Sequence, residues 1–264
     1  MARVPFKKYE GLGNDFILLE VFPEGLADSA VRRVCDRHFG VGADGLLLVG
    51  PPRAAGSDAT MVIRNADGSR PEMCGNGIRC VALHLARQQG REAVDMIVDT
   101  DAGPIACKVR KDEVEVEMGK LADLGAVEVS VQARVMRFMR ISAGNPHAIT
   151  FERYEPSEID VIGPAVATHG AFPGGTNVEF ARLLDDGSID LVVWERGVGR
   201  TLACGTGASA TVGAACLSRQ RSFDEFVEVR LPGGTLRIRV RSGTLATTMC
   251  GPARLVFEGE VTLS

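Results

Sequence analysis

Twice the sequence sets a cysteine ahead of a Gly-polar-Gly turn: "CGNG" at residues 74–77 and "CGTG" at 204–207, 130 positions apart. Each turn opens a segment with helical character. "GNGIRCVALHLARQQG" follows Cys74 and closes on Gly90, as a helix C-terminus does. "GTGASATVGAACLSRQ" follows Cys204 and is small and apolar on nearly every side, which predicts a helix enclosed by sheet or barrel walls. Other landmarks repeat with the cysteines. Asn65 and Glu195 each stand nine residues ahead of their cysteine, at the ends of the strand-like runs "VIRN" and "VVWE". Asn14 and Asn145 precede by 60 and 59 residues, and Gly45 and Asn177 by 29 and 27. The spacing predicts two diverged halves of one plan that meet with equivalent loops face to face, with a boundary near "MGKLADLG" at 118–125.

Between these landmarks the sequence favours strands. "DFILLE", "GLLLVG", "ATMVIRN", "AVDMIVDT", "EVEVEM", "IDLVVWE", "GTLRIRV" and "ARLVFEGE" alternate or run apolar between Gly, Pro and Asp turns. Two further helices are predicted: "SAVRRVCDRHF", capped by Asp28, and a weaker one near 156–168. The fold class is therefore α/β (α+β). A chain of 264 residues, 45% hydrophobic and 24% charged, suits two modest domains.

Charge and cysteine usage narrow the function. A net charge of -4 without a basic run argues against nucleic acid as partner. The longest apolar run, around Leu46 to Val49, is too short to span a bilayer, and "MARVPFKKYEG" lacks the apolar stretch of a signal sequence, so no membrane role and a cytoplasmic location are expected. Seven cysteines at irregular spacing read as reduced thiols, most of them small buried hydrophobes. Cys74 and Cys204 are different. The first turn of a helix offers unpaired N–H groups and partial positive charge, so a carboxylate docks there and a neighbouring thiol ionises more easily.

Two such helix ends can hold one carboxylate, with donors from Gly75 and Asn76 on one side and Gly205 and Thr206 on the other. One thiolate then takes a proton from carbon while the other thiol returns one to the opposite face, which is the chemistry of a two-base racemase or epimerase. No cofactor signature that could spread the carbanion charge is evident, so none is expected. Backbone donors must stabilise the charge instead, at roughly 3 to 4 kcal/mol each in a closed site. A zinc site from Cys74, Cys80, Cys204 and His147 lacks the usual close-spaced pairs, and no metal is expected. A non-catalytic redox-sensing dithiol protein leaves the two anion-suited helix ends without a purpose.

The segments "GLGNDF", "CDRHFGVGADG", "NADGSRPEMCGNGIRC", "GNPHAI", "FPGGTNVEF", "WERGVGRTLACGTGASA", "LPGGTLRI" and "GPARLVFEGE" together resemble the PLP-independent diaminopimelate epimerase family, nearly end to end. The resemblance implies two pseudo-symmetric halves, each a strand-rich barrel around a central helix, with the active site in the cleft. Residues 1–118 with a returning strand at about 254–264 would form the half carrying Cys74, and 119–253 the half carrying Cys204. It implies Cys74 and Cys204 as catalytic residues and His147 and Glu195 as modulators of the thiols. Asn14, Gly45, Asn65, Gly75, Asn76, Asn145, Asn177, Glu195, Arg196, Gly205 and Thr206 would bind substrate, with Arg196 gripping the distal carboxylate. A small-molecule diaminopimelate substrate and a homodimer are implied as well. The cysteine motifs alone also admit a racemase of another amino acid on the same scaffold. By spacing alone, Asn14, Asn65 and Asn177 are as well explained as turn residues. His38, His84 and His169 read as structural, and Trp194 as core. Gly45 stands where part of the family has Gln, and Arg64 where an apolar strand residue is expected.

Overall fold

The computed structural model describes residues 3–20, 26–131 and 134–263. The chain forms two compact units, one of residues 1–116 with 251–264, the other of 117–250.

In the first unit, β1 (Arg3–Gly11) runs antiparallel to β2 (Asn14–Leu19), and β2 lies parallel to β3 (Gly45–Gly50). A parallel pair needs a crossover, here through α1 (Asp28–Cys35). β3 turns back into antiparallel β4 (Ala59–Asn65), which is parallel to β5 (Ala93–Thr100) after a crossover through α2 (Gly75–Gln88). β6 (Gly103–Arg110) and β7 (Glu113–Lys120) continue antiparallel, and β17 (Arg254–Thr262) returns to pair with β1.

The second unit repeats this order. β8 (Ala122–Val131), β9 (Arg134–Ser142) and β10 (Pro146–Thr150) are antiparallel neighbours, and β10 is parallel to β11 (Asn177–Leu183) across α3 (Pro156–Ala167). β12 (Ile189–Glu195) pairs antiparallel with β11 and with the short β13 (Gly199–Thr201), then parallel with β14 (Phe226–Leu231) across α4 (Gly205–Leu217). β15 (Gly234–Val240) and β16 (Ala246–Pro252) complete it.

The repetition extends to single residues. The parallel ladders pair Phe16 with Gly45 and His147 with Asn177. The next ladders pair Gly45 with Asn65 and Val178 with Trp194, so one further step sets Asn177 against Glu195. A one-residue slip would turn every side chain to the other face, so the shared register places equivalent side chains at equivalent sites.

Each central helix is sheathed by strands. α2 touches β1 through β6 and β17, and α4 touches β9, β10, β11 and β15. Helix α4 is buried at Gly205 and from Gly207 through Cys216, as its small-residue composition predicts. α1 departs from expectation at its start: Ala27 is the N-cap and Asp28 the first helical residue. The Asp28 carboxylate is held by Arg64, which removes it from capping. Arg64 also donates to the Gly68 carbonyl from Nε (3.2 Å) and Nη2 (2.9 Å). Its place at a strand end is explained by this clamp on the 65–69 turn. Trp194 packs against the Gly163 face of α3, within the core around Phe138, Val178 and Phe180. Among the described residues no helix is long and apolar enough to cross a membrane.

Candidate active site

In the first unit, β4 ends at Asn65 and the chain turns back to begin α2, with Cys74 in extended conformation as the N-cap. Its sulfur accepts the Gly77 N–H at 3.4 Å, and Gly75 and Asn76 form the first turn of the helix, where backbone N–H groups point toward its N-terminal end. Asn14 reaches the same helix end from the start of β2. Its Oδ1 accepts from Asn76 Nδ2 (3.1 Å) and lies 4.0 Å from the Cys74 sulfur, while its Nδ2 donates to Asp44 (2.8 Å). Asn14 is thus fixed by a carboxylate on one side and faces the cysteine on the other.

Asn65 is tied into its own turn, where its backbone N–H donates to the Ser69 carbonyl and its Nδ2 to the Ser69 hydroxyl, both at 2.9 Å. Opposite it, Gly45 has no room for a side chain: a Cβ there would stand 2.6 Å from the Arg64 carbonyl oxygen. A glutamine at this position would require the β4 backbone to move, so residue 45 can offer backbone groups alone.

In the second unit Cys204 caps α4 in the same manner and accepts the Gly207 N–H at 3.3 Å. Its surroundings are more polar. Thr206 Oγ1 is 3.5 Å from the sulfur and accepts from Asn145 Nδ2 at 3.4 Å. Asn145 Oδ1 faces His147 Nε2 at 2.9 Å, and His147 Nδ1 is 2.6 Å from Glu179 Oε1. Glu195 accepts from Thr201 Oγ1 at 2.7 Å and is also hydrogen-bonded to Cys204. The register that joins β11 to β12 brings Asn177 to this end, where its Oδ1 accepts the Arg196 N–H at 2.9 Å. Arg196 itself is exposed, with Nη1 on the Gly174 carbonyl at 2.6 Å.

The charge balance at Cys204 differs from what a helix N-terminus alone predicts. Burial pushes the thiol well above its ordinary value, and the Glu195 and Glu179 carboxylates push it further. The bonds from Thr206 and Gly207 pull the other way and are outweighed. Desolvation dominates because the sulfur is enclosed, so Cys204 favours the thiol form. Burial likewise raises the Glu195 carboxyl, against the bonds from Thr201 and Cys204.

Glu179 is the polar group that sequence reasoning missed. It is fully buried, and its signal was one acidic residue inside an otherwise apolar strand, "NVEFA", two positions beyond Asn177. Among the described residues, no three His, Cys, Asp or Glu side chains converge as metal ligands would.

The fold is shared with solved racemase and epimerase structures. A hydroxyproline epimerase from Agrobacterium vitis superposes with a TM-score of 0.79 at 15% identity, covering 99% of this chain and 93% of that one. A probable proline racemase from Agrobacterium radiobacter gives 0.76 at 16% identity, with the same coverages. Sequence places the chain more finely. The diaminopimelate epimerase family model matches residues 6–122 and 139–256. The diaminopimelate epimerase of Microcystis aeruginosa is 43% identical over 280 residues, covering 97% of this chain and 98% of the relative, and that of Synechocystis is 41% identical over 275 residues with the same coverages. The chain belongs to the diaminopimelate epimerase family.

Proposed function

We propose that the protein interconverts LL- and meso-2,6-diaminopimelate without PLP, with Cys74 and Cys204 as the two proton-transfer groups. The observation that carries this reading is that both cysteines cap equivalent helices in a register-matched repeat, each beside first-turn N–H groups suited to a carboxylate. One cysteine, as thiolate, takes the α-proton, and the other, as thiol, protonates the opposite face of the carbon. Negative charge that grows on the carboxylate as the proton leaves is met by the N–H groups of Gly75, Asn76, Gly205 and Thr206. Glu195, bonded to Cys204, favours its thiol form and so biases which cysteine carries the proton. Asn14, Asn65, Asn145 and Asn177 supply amide groups at the two helix ends, and Gly45 supplies backbone. Action in the cytoplasm as a homodimer completes the reading, which places the enzyme in the supply of lysine and peptidoglycan precursors. Chiral chromatography tests it: reduced protein converts LL-diaminopimelate to the meso isomer and leaves proline and hydroxyproline unchanged. Turnover of another free amino acid, with none of diaminopimelate, would favour a different racemase on this scaffold.

The distal carboxylate falls to Arg196, whose guanidinium suits two-point recognition. Arg196→Ala should lower kcat/KM for diaminopimelate about 100-fold, the worth of roughly 3 kcal/mol of charged hydrogen bonding. Gly174 and Gly175 position that side chain, and a matched pair of variants checks it. Both have positive φ, 85° and 78°, so alanine adopts an unfavourable backbone conformation at either site, and at 175 its Cβ would also crowd the Ala167 carbonyl oxygen at 3.0 Å. A Cβ at 175 would stand 2.8 Å from Arg196 Cδ, whereas one at 174 meets nothing within 4 Å. Gly175→Ala should therefore raise KM about tenfold beyond any effect of Gly174→Ala, with kcat similar in both. Equal KM values in the two variants would remove this role.

A further inference from the structure

Beneath Cys204 the fold holds a polar pair that its twin lacks. His147 and Glu179 have no exposed side-chain surface. In the first unit the equivalent positions are Phe16 and Leu47, 2% and 0% exposed. The equivalence is geometric, because Phe16 and His147 occupy the same register opposite Gly45 and Asn177. The side chains two residues further on also meet the same helix position. A Cβ at Gly77 would be 2.9 Å from Leu47 Cδ2, and a Cβ at Gly207 would be 2.9 Å from Glu179 Oε1. An apolar pair therefore packs this site adequately. A buried carboxylate costs several kcal/mol to desolvate, so packing does not account for the second unit's choice.

The polar pair does what Phe and Leu cannot, since it begins a hydrogen-bonded chain that ends at the sulfur. The links are Glu179 to His147 at 2.6 Å, His147 to Asn145 at 2.9 Å, Asn145 to Thr206 at 3.4 Å and Thr206 to Cys204 at 3.5 Å. An asparagine amide has one accepting and one donating end, so its orientation decides which neighbour is offered a proton. With Oδ1 on the imidazole N–H, Nδ2 donates to Thr206, and the hydroxyl proton of Thr206 is left for the sulfur. One proton lies between Glu179 and His147 Nδ1 whichever group holds it, and Nε2 keeps its own. In the first unit Asp44 orients Asn14 directly, at 2.8 Å.

We propose that Glu179 is a positioning residue for Cys204: it holds the His147 ring, through it fixes which way the Asn145 amide faces, and so commits the Thr206 hydroxyl to the sulfur. The proposal rests on the reading of Cys204 as a proton-transfer group. It predicts that a neutral side chain able to donate to His147 Nδ1 supports turnover nearly as well as the carboxylate.

The test uses the full-length protein with Glu179→Leu, Glu179→Gln, Thr206→Val and the double variant Glu179→Leu/Thr206→Val. Leucine fills the twin site, but there beside Phe16; in Glu179→Leu the His147 Nδ1 is left buried without its partner, so the variant should fold with a Tm lower than the parent by roughly 5–10 °C. It should lose kcat about 10- to 100-fold, the scale of one supporting hydrogen bond, while KM changes less than about threefold. Glu179→Gln, whose amide can donate to Nδ1, should keep kcat within about fivefold of the parent. Thr206→Val should lose kcat as Glu179→Leu does, and the double variant should be little worse than either alone, since both break one chain. Parent-like kcat in Glu179→Leu, a Gln variant as impaired as the Leu variant, or multiplying losses in the double variant would each overturn the proposal. Should Glu179→Leu not fold, Glu179→Gln with Thr206→Val decides it: a wild-type rate in Thr206→Val, or a severe loss in Glu179→Gln, overturns it. An inactive parent would instead overturn the function on which the proposal rests.

Discussion

Replacing either Cys74 or Cys204 by serine should lower kcat for epimerisation about 1000-fold or more, while substrate still binds. A serine hydroxyl keeps the N-cap geometry, because its oxygen can accept the Gly77 or Gly207 N–H that the sulfur accepts now. What it loses is acidity, since an alcohol does not ionise near neutral pH as a thiol does. General acid–base catalysis contributes about 100- to 10,000-fold, and with only one competent group no stereocentre can be inverted by two bases. Isothermal titration with either diaminopimelate isomer should show a Kd within about tenfold of the parent, since the helix-end donors remain. The decisive comparison is between the two variants. Loss in one alone would indicate a single base that works on both faces, whereas the repeat predicts equal dependence on both.

The second large effect concerns stability at alkaline pH and arises from the cysteines that are not catalytic. Cys80 lies on α2 and Cys107 on β6, both buried, and burial pushes each thiol from 9.0 to about 12. Below pH 9 both states hold these protons and the thiols contribute nothing to the pH dependence. Above pH 9 the unfolded chain releases them while the folded chain retains them, so stability falls as pH rises. The slope is about 1.4 kcal/mol per pH unit for each thiol, or about 5 kcal/mol in all between pH 9 and pH 11. That is a large part of the 5–15 kcal/mol typical of a folded domain. Tyr9, pushed by burial from 10.0 to about 12, adds a loss of the same sign above pH 10. Urea denaturation at pH 8 and pH 10.5 measures it directly. A Cys80→Ala/Cys107→Ala variant should be less stable at pH 8 through lost packing and should decline less steeply. Equal stability of the parent at the two pH values would contradict this account.

Much of the architecture was legible because the chain wrote its plan twice. Spacing that linked Asn65 and Glu195 to the cysteines became a matched ladder register, and the Gly-polar-Gly turns became two helix starts capped by sulfur. What escaped was governed by distant partners. Asp28 looked like a cap, but the Arg64 side chain had claimed its carboxylate. Strands β8 and β9 carry charged, exposed positions among their apolar ones, so alternation was hard to see in "ADLGAVEVSV" and "RVMRFMRIS". A helix end taken alone acidifies both thiols. At Cys204 burial works against it most, then the Glu195 carboxylate, which the resemblance had named as a modulator, and the Glu179 carboxylate, which it had not. Glu179 was hidden because a single acidic residue in a strand gives no sign of facing inward; the parallel pairing of β10 with β11 supplies that sign.

The most direct test of the central claim is proton NMR of the reduced protein with meso-diaminopimelate in D2O, with a metal chelator present and no PLP added. The account predicts LL product with solvent deuterium at the inverted α-carbon, while unreacted substrate stays protiated early in the reaction, since the proton removed and the one returned pass through different thiols. LL product that retains protium at that carbon, or no exchange by folded and reduced protein, would contradict it.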